Sequence, residues 1–317
     1  MGLKLKNPVV VSSSGLTNST EKIQKLENLG ASAVVLKSIF EEQINYEADS
    51  MGGQGDYPEA ADYLLNYTKS NTVDQYLDLI EESKKLVKIP VIASVNCVSS
   101  REWVSFAKKM EMAGANAIEL NVYFLPIDKN KSASEYEKIY LDVVEKIVST
   151  VKIPVAVKLG RSFTNPAYMV NEIYKRGAKG VVLFNRFYEP DIDIDQMKIV
   201  SSEVFSNESD IRQSLRWIGI VSALDIKVDI AASTGVHEGG DAVKQILAGA
   251  DIVQVCSTLY KNGVAYLENI IQDMESWMKK NNFNTIKEIK GKMNYKKISD
   301  PALYERSQFM KYFSSIQ

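Results

Sequence analysis

A signature repeated four times limits the fold of this chain more than any other feature. Leu29-Gly30-Ala31-Ser32 leads into Ala33-Val34-Val35-Leu36-Lys37, and Ala113-Gly114-Ala115-Asn116 into Ala117-Ile118-Glu119-Leu120-Asn121. Arg176-Gly177-Ala178-Lys179 leads into Gly180-Val181-Val182-Leu183-Phe184, and Ala248-Gly249-Ala250-Asp251 into Ile252-Val253-Gln254-Val255-Cys256. Each copy follows a segment of helical period. Its glycine sits where a helix ends in the left-handed conformation, which costs glycine no steric strain. The apolar runs that follow are short and continuous, as expected of strands buried on both faces of a parallel sheet.

A second signature falls between these units. Val87-Lys88-Ile89-Pro90-Val91 recurs as Val151-Lys152-Ile153-Pro154-Val155, with a degenerate copy at Lys227-Val228-Asp229-Ile230. Proline is tolerated at the first position of a strand, where its missing N–H costs no ladder bond. With Pro8-Val9-Val10-Val11 at the start, eight strands are predicted, at 8–12, 33–38, 90–96, 117–122, 154–159, 180–185, 227–233 and 252–257. Helical patterns separate them at 73–87, 100–113, 135–150, 166–176, 209–224 and 239–248, with another at 263–280. Alternating strands and helices give either a doubly wound sheet or a (β/α)8 TIM barrel. Ser12-Ser13-Ser14-Gly15-Leu16 lacks the GxGxxG of a dinucleotide fold, so the barrel is the expected α/β class.

The barrel is expected over residues 1–291, with 292–317 as a C-terminal extension packing on the barrel or on a second subunit. Long connections are expected after strand 2 (Phe40 to Thr72) and strand 6 (Arg186 to about Glu208), on the side where barrel active sites form. Gly52-Gly53-Gln54-Gly55-Asp56 lacks the GxxxxGK[ST] of a phosphate loop and reads as a flexible turn.

Composition narrows the chemistry. His237 is the single histidine, and Cys97 and Cys256 are the two cysteines. They cannot supply a Cys/His zinc site, a two-histidine metal centre or a CxxC pair, so no metal is expected. The net charge of −2 provides no global field for nucleic acid or anionic lipid. No run approaches the roughly 18 apolar residues of a membrane span, and Met1 to Pro8 lacks the core of a signal peptide. Isolated cysteines suit a reducing compartment, so a cytoplasmic protein is expected.

Polar residues ending barrel strands face the active-site mouth. Here they are Ser13 and Ser14, Lys37 and Ser38, Asn96, Asn121, Lys158, Asn185, Ser233-Thr234-Gly235 and Cys256-Ser257. Lys37 and Lys158 end apolar runs, and a charge in such a place needs an anionic partner. The asparagines offer amides suited to a planar heterocycle. Thr234-Gly235 and Ser257 fall where barrels bind phosphate. His237 beside them reads as a helix cap. Together these residues suggest a phosphorylated planar cofactor.

The chain resembles the dihydroorotate dehydrogenase family of FMN-dependent barrels from Asn7 to about Gly291. The resemblance rests on Asn7-Pro8, Ser13-Ser14-Gly15, Val35-Leu36-Lys37-Ser38, Glu119-Leu120-Asn121 and Val157-Lys158-Leu159. It continues through Val182-Leu183-Phe184-Asn185, Ser233-Thr234-Gly235-Val236, Gly240-Asp241-Ala242 and Val253-Gln254-Val255. It implies FMN as cofactor, with Lys158 at the flavin pyrimidine edge and Lys37 facing flavin and substrate. The Ser13-Ser14-Gly15 backbone would line the ring. Asn121 and Asn185 would hydrogen-bond flavin or substrate, and Thr234-Gly235 and Cys256-Ser257 would hold the phosphate. Lys158, Asn121 and Lys37 are the implied catalytic residues, and Ser38 is an implied cofactor-binding residue. The implied substrate is a small molecule and the implied assembly a homodimer.

Two departures stand out. After Glu119-Leu120-Asn121 the family carries a Cys or Ser base followed by Pro-Asn, whereas this chain reads Val122-Tyr123-Phe124-Leu125-Pro126-Ile127. The family's Asn-Ser-Met-Gly-Leu-Pro-Asn substrate loop is replaced by Leu64-Leu65-Asn66-Tyr67-Thr68-Lys69. A missing base removes about 10²–10⁴-fold of rate from proton transfer. The expected function is therefore an FMN oxidoreductase of CH–CH groups, acting on dihydroorotate if a base comes from elsewhere and otherwise on another unsaturated or heterocyclic compound. A non-catalytic FMN-binding paralogue and a Schiff-base lyase using Lys37 or Lys158 are the alternatives. No iron–sulfur ligand set is present, so electron transfer to NAD would need a partner subunit.

Overall fold

The computed structural model describes residues 1–40, 58–97, 101–122 and 125–306. Eight parallel strand positions close into a ring: β1 (Val9–Val11), β2 (Val34–Val35), β4 (Val91–Cys97), β5 (Ala117–Val122), β6 (Val155–Leu159), β7 (Gly180–Leu183), β10 (Asp229–Ser233) and β11 (Ile252–Val255), which pairs back onto β1. The short β3 (Ile39–Phe40) adds to the far end of β4. The chain is a (β/α)8 TIM barrel, and the eight expected strands are its eight staves.

The surrounding helices are α1 (Thr20–Asn28), α2 (Pro58–Leu86), α3 (Arg101–Met112), α4 (Ala133–Thr150), α5 (Pro166–Lys175), α6 (Ile211–Val221), α7 (Gly239–Ala248), α8 (Ser257–Asn262) and α9 (Tyr266–Lys280). Two single turns follow, α10 (Ile286–Ile289) and α11 (Ala302–Glu305). α2 begins at Pro58, inside the segment expected to be a loop as far as Thr72. The glycine-rich turn at 52–56 lies outside the described residues. No helix among the described residues is long and apolar enough to cross a membrane.

Both sequence repeats have a physical cause. The repeat glycines Gly30, Gly114, Gly177 and Gly249 take φ of 97°, 94°, 92° and 125°, each turning the chain out of a helix toward the next strand. The Lys-Ile-Pro repeat is a carboxylate receptor. One Glu27 oxygen accepts from the backbone N–H of Lys88 (2.7 Å) and Ile89 (3.0 Å). One Glu111 oxygen accepts from Lys152 (2.7 Å) and Ile153 (3.3 Å) in the same way. These N–H groups precede a strand and have no ladder partner, so a helix carboxylate satisfies them. Lys108 and these amides hold the Glu111 carboxyl below the usual range.

The larger apolar core lies between barrel and helices. A smaller cluster of Val10, Ala33, Val35, Ile92 and Ala117 fills the barrel's N-terminal end, with Met1, Leu3 and Leu5 packed against it. The connection after β7 contains a hairpin, β8 (Pro190–Asp193) antiparallel to β9 (Lys198–Ser201), where the sequence reading expected only a long loop. Within 292–306 the chain meets α6 at Gly219. The Tyr304 ring occupies the space a Cβ at Gly219 would need, and the Tyr295 N–H donates to Gly219 O (3.0 Å).

Candidate active site

The C-terminal ends of β1, β6, β7, β10 and β11 surround a cavity of about 580 Å³. Such a volume lies within the roughly 300–1,000 Å³ range of small-molecule sites. Ser13, Lys158, Asn185, Thr234, Gly235, Cys256 and Ser257, all expected at the mouth, line it. The β8–β9 hairpin borders one side through Glu189, Ser201, Ser202 and Glu203. Arg186 anchors this lid, donating to Asp210 (2.8 Å) and to Glu203 O (2.7 Å).

The cavity floor is a ring of four buried side chains from four strand positions. Lys158 Nζ donates to Ser12 Oγ (3.3 Å), and Ser12 Oγ donates to Gln254 Oε1 (3.1 Å). Gln254 Nε2 donates to Glu119 Oε2 (2.6 Å), and Glu119 Oε1 lies 3.9 Å from Lys158 Nζ. Side chains alternate along a strand. Glu119 and Asn121 on β5 therefore share the inward face, as do Ala156 and Lys158 on β6. Glu119, Ser12 and Gln254 were missed because sequence reading looked at strand ends. The available signal was an acidic residue in the otherwise buried strand Ala117–Val122. Beneath the floor lies a second cavity of about 300 Å³, lined mostly by apolar strand residues with Met1, Leu3 and Leu5, and bordered by Glu119 and Gln254 of the floor and by Asp229 and Asp251.

A hydroxyl ladder supports one wall. Ser13 Oγ lies 3.0 Å from Ser38 Oγ and accepts from the Ser38 N–H (2.8 Å). Ser38 Oγ meets Ser94 Oγ at 2.7 Å. The Ser94 N–H donates to the Tyr76 hydroxyl (2.7 Å), which donates to Ser94 O (3.0 Å). Burial raises the Tyr76 phenol well above its ordinary value, so it stays a neutral donor. Ser38 thus acts through Ser13 rather than lining the cavity. Ser14 caps the short turn Gly15–Thr17, and a Cβ on Gly15 would meet the Tyr260 hydroxyl at 2.9 Å.

Asn121 is joined to the wall by the Asn185 amide, which donates to Asn121 Oδ1 (2.8 Å). Lys37 departs from expectation. β2 ends at Val35, the Lys37 N–H turns to Thr17 O (3.4 Å), and the exposed side chain is not among the residues lining the cavity. Asn96, on β4, is likewise not among them. Tyr123 and Phe124 lie outside the described residues. The following Leu125 and Ile127 are exposed.

The far rim is mostly backbone. Thr234 (φ 75°) and Gly235 (φ 81°) are both left-handed, an outlying conformation for a β-branched residue. Thr234 is held by its hydroxyl, which donates to Phe184 O (2.9 Å). A Cβ at Gly235 would stand 2.2 Å from the Ile211 backbone nitrogen, so only glycine lets this rim close against the start of α6. Ser257 Oγ accepts from the Ser206 N–H (3.1 Å), and Ser206 Oγ lies 3.1 Å from His237 Nε2. His237 is therefore a buried structural partner of the rim, and burial, then the Lys261 cation, lowers its pKa. Burial raises the free Cys256 thiol, which makes it a poor base at neutral pH.

The family model for dihydroorotate dehydrogenase matches residues 1–278. A relative named dihydroorotate dehydrogenase B (NAD(+)), catalytic subunit, from Thermoplasma acidophilum is 29% identical over 306 residues, covering 92% of this chain and 96% of the relative. The Endomicrobium trichonymphae protein of the same name is 31% identical, covering 92% and 95%. A putative dihydroorotate dehydrogenase A (fumarate) from Aeropyrum pernix is 26% identical, covering 92% and 94%. The chain belongs to the dihydroorotate dehydrogenase family and is an oxidoreductase of the CH–CH class.

Proposed function

We propose that the cavity binds FMN and that the chain oxidises dihydroorotate to orotate, a step of pyrimidine biosynthesis. The observation that carries this reading is the buried Lys158, aimed into the cavity from its floor. The residues fit the group. The floor offers a fixed cation, the wall offers the Asn121–Asn185 amide pair, and the rim offers a backbone cradle that a Cβ at Gly235 would fill. FMN supplies the two-electron acceptor when bound.

The chain's own residues divide the remaining work. Lys158 would place positive charge beside the bound cofactor, where it could offset negative charge that develops on reduction. Asn121 and Asn185 orient a planar partner. Thr234, Gly235, Cys256 and Ser257 would hold the phosphate, and the hairpin would exclude water from above. Lys37, exposed just beyond the end of β2, would be available to an anionic substrate on entry.

A second reading, an FMN oxidoreductase for a different unsaturated heterocycle, is favoured by the segment after Asn121, which contains neither Cys nor Ser before Ile127. One experiment separates the two. The protein reconstituted with FMN is titrated anaerobically with dihydroorotate while flavin absorbance is followed. Bleaching supports the first reading. A flavin that stays oxidised with dihydroorotate but bleaches with another dihydropyrimidine supports the second. Failure to retain FMN at all would remove both.

A further inference from the structure

We propose that Glu119 is the positioning residue of this site, the buried counter-charge that pairs with Lys158 and keeps its Nζ aimed into the cavity. The proposal rests on the FMN reading for its purpose but not for its geometry. Lys158 is 7% exposed and Glu119 2%, so neither charge is solvated and each depends on the other.

The ring admits one assignment of protons. Ser12 has a single hydroxyl hydrogen, which goes to Gln254 Oε1, so its lone pairs face the Lys158 ammonium. Gln254, with its carbonyl engaged, turns its amide toward Glu119 Oε2, which can only accept. Glu119 Oε1 then has no hydrogen-bond partner and points at Lys158 from 3.9 Å, beyond hydrogen-bonding reach. The carboxylate therefore neutralises the lysine without consuming one of its protons. Ser12 takes one of three, and the others are left for whatever occupies the cavity. The two hydrogen bonds that matter cross the barrel: β5 lies opposite β11, and β6 opposite β1, in the ring of staves.

The test is a double-mutant cycle of E119Q, K158M and E119Q/K158M in the full-length chain. Glu119→Gln keeps an oxygen for Gln254 and removes only the charge. Thermal unfolding without added flavin should fall in each single variant, because each leaves one buried charge unpaired. It should recover in the double variant. FMN affinity, measured by fluorescence titration, should weaken about tenfold in E119Q, a typical coupling between paired groups. K158M should weaken it at least as much, and adding E119Q to K158M should cause little further loss.

Additive unfolding temperatures overturn the proposal, as does E119Q binding FMN as tightly as wild type. If E119Q alone does not fold, the double variant must fold and bind FMN as K158M does. If neither folds, Glu119 is a packing residue and the proposal falls. A wild-type protein that binds no FMN removes the FMN reading, yet the unfolding cycle still decides the pairing.

Discussion

The floor and the far rim of the cavity are made of different material. The floor consists of side chains: Ser12, Glu119, Lys158 and Gln254 come from two neighbouring pairs of staves that face each other across the barrel, and the whole set is buried. The rim consists largely of main chain, with Thr234 and Gly235 bent into the left-handed region against the start of α6. A floor of this kind is sensitive to charge and tolerant of modest changes in shape. A rim of main chain is the reverse. It supplies N–H groups whatever the side chains are, but it fails when a single carbon is added.

Four experiments break or sharpen this contrast. The largest effect belongs to the floor. Lys158→Met should cut substrate-driven flavin reduction by about 10²–10³-fold, the size expected for losing one preorganised electrostatic partner, read by stopped-flow absorbance. Unchanged kinetics would end the assignment of charge stabilisation to the floor. At the rim, Gly235→Ala should cost about 1–3 kcal/mol of stability and weaken FMN binding, since the new Cβ meets backbone at 2.2 Å. Gly240→Ala, with nothing within 4 Å of its Cβ, should change unfolding by no more than about 0.5 kcal/mol. Equal effects at the two glycines would erase the shape-sensitivity of the rim.

His237 gives a smaller, pH-dependent effect. Its folded pKa lies below the ordinary 6.5, so the unfolded chain binds more protons as pH drops through that value. Stability should be full above about pH 6.5 and decline on acidification, levelling once the folded imidazole also protonates. His237→Gln should flatten that part of the unfolding-versus-pH curve, and an unaltered slope would show that His237 does not couple to rim stability. The smallest effect concerns Cys256. Its raised thiol should react with iodoacetamide more slowly than a free cysteine at pH 7–8, and more slowly still with FMN present, followed by mass spectrometry.

How much of this was legible in the sequence follows from where each signal resides. The barrel was legible because its repeats record main-chain necessities: a left-handed helix exit at Gly30 and its counterparts, and a Pro-headed strand whose preceding amides need Glu27 or Glu111. The mouth residues Lys158, Asn185, Thr234 and Gly235 followed from the rule that polar strand ends face the site. The same rule pointed to Lys37, where β2 stops at Val35, the backbone turns to Thr17 and the exposed side chain is not among those lining the cavity. It also passed over Glu119 and Gln254, which sit within buried strands where partners come from across the barrel, a relation no local pattern records. The hairpin after β7 was read as a loop, although Asp191-Ile192-Asp193-Ile194 alternates with the period of two that marks a strand.

The span of the floor ring along the chain has a kinetic consequence. Ser12 and Gln254 are 242 positions apart, Lys158 and Ser12 146, and Glu119 and Gln254 135. Contacts of such separation form late, because loop closure must be paid for before they bring any gain. A chain still emerging from the ribosome, with β1 to β10 in place but β11 unmade, lacks the Gln254 amide that joins Glu119 to Ser12. The site therefore completes only when the last stave seals the barrel, so cofactor capture would report closure of the whole molecule rather than folding of any part.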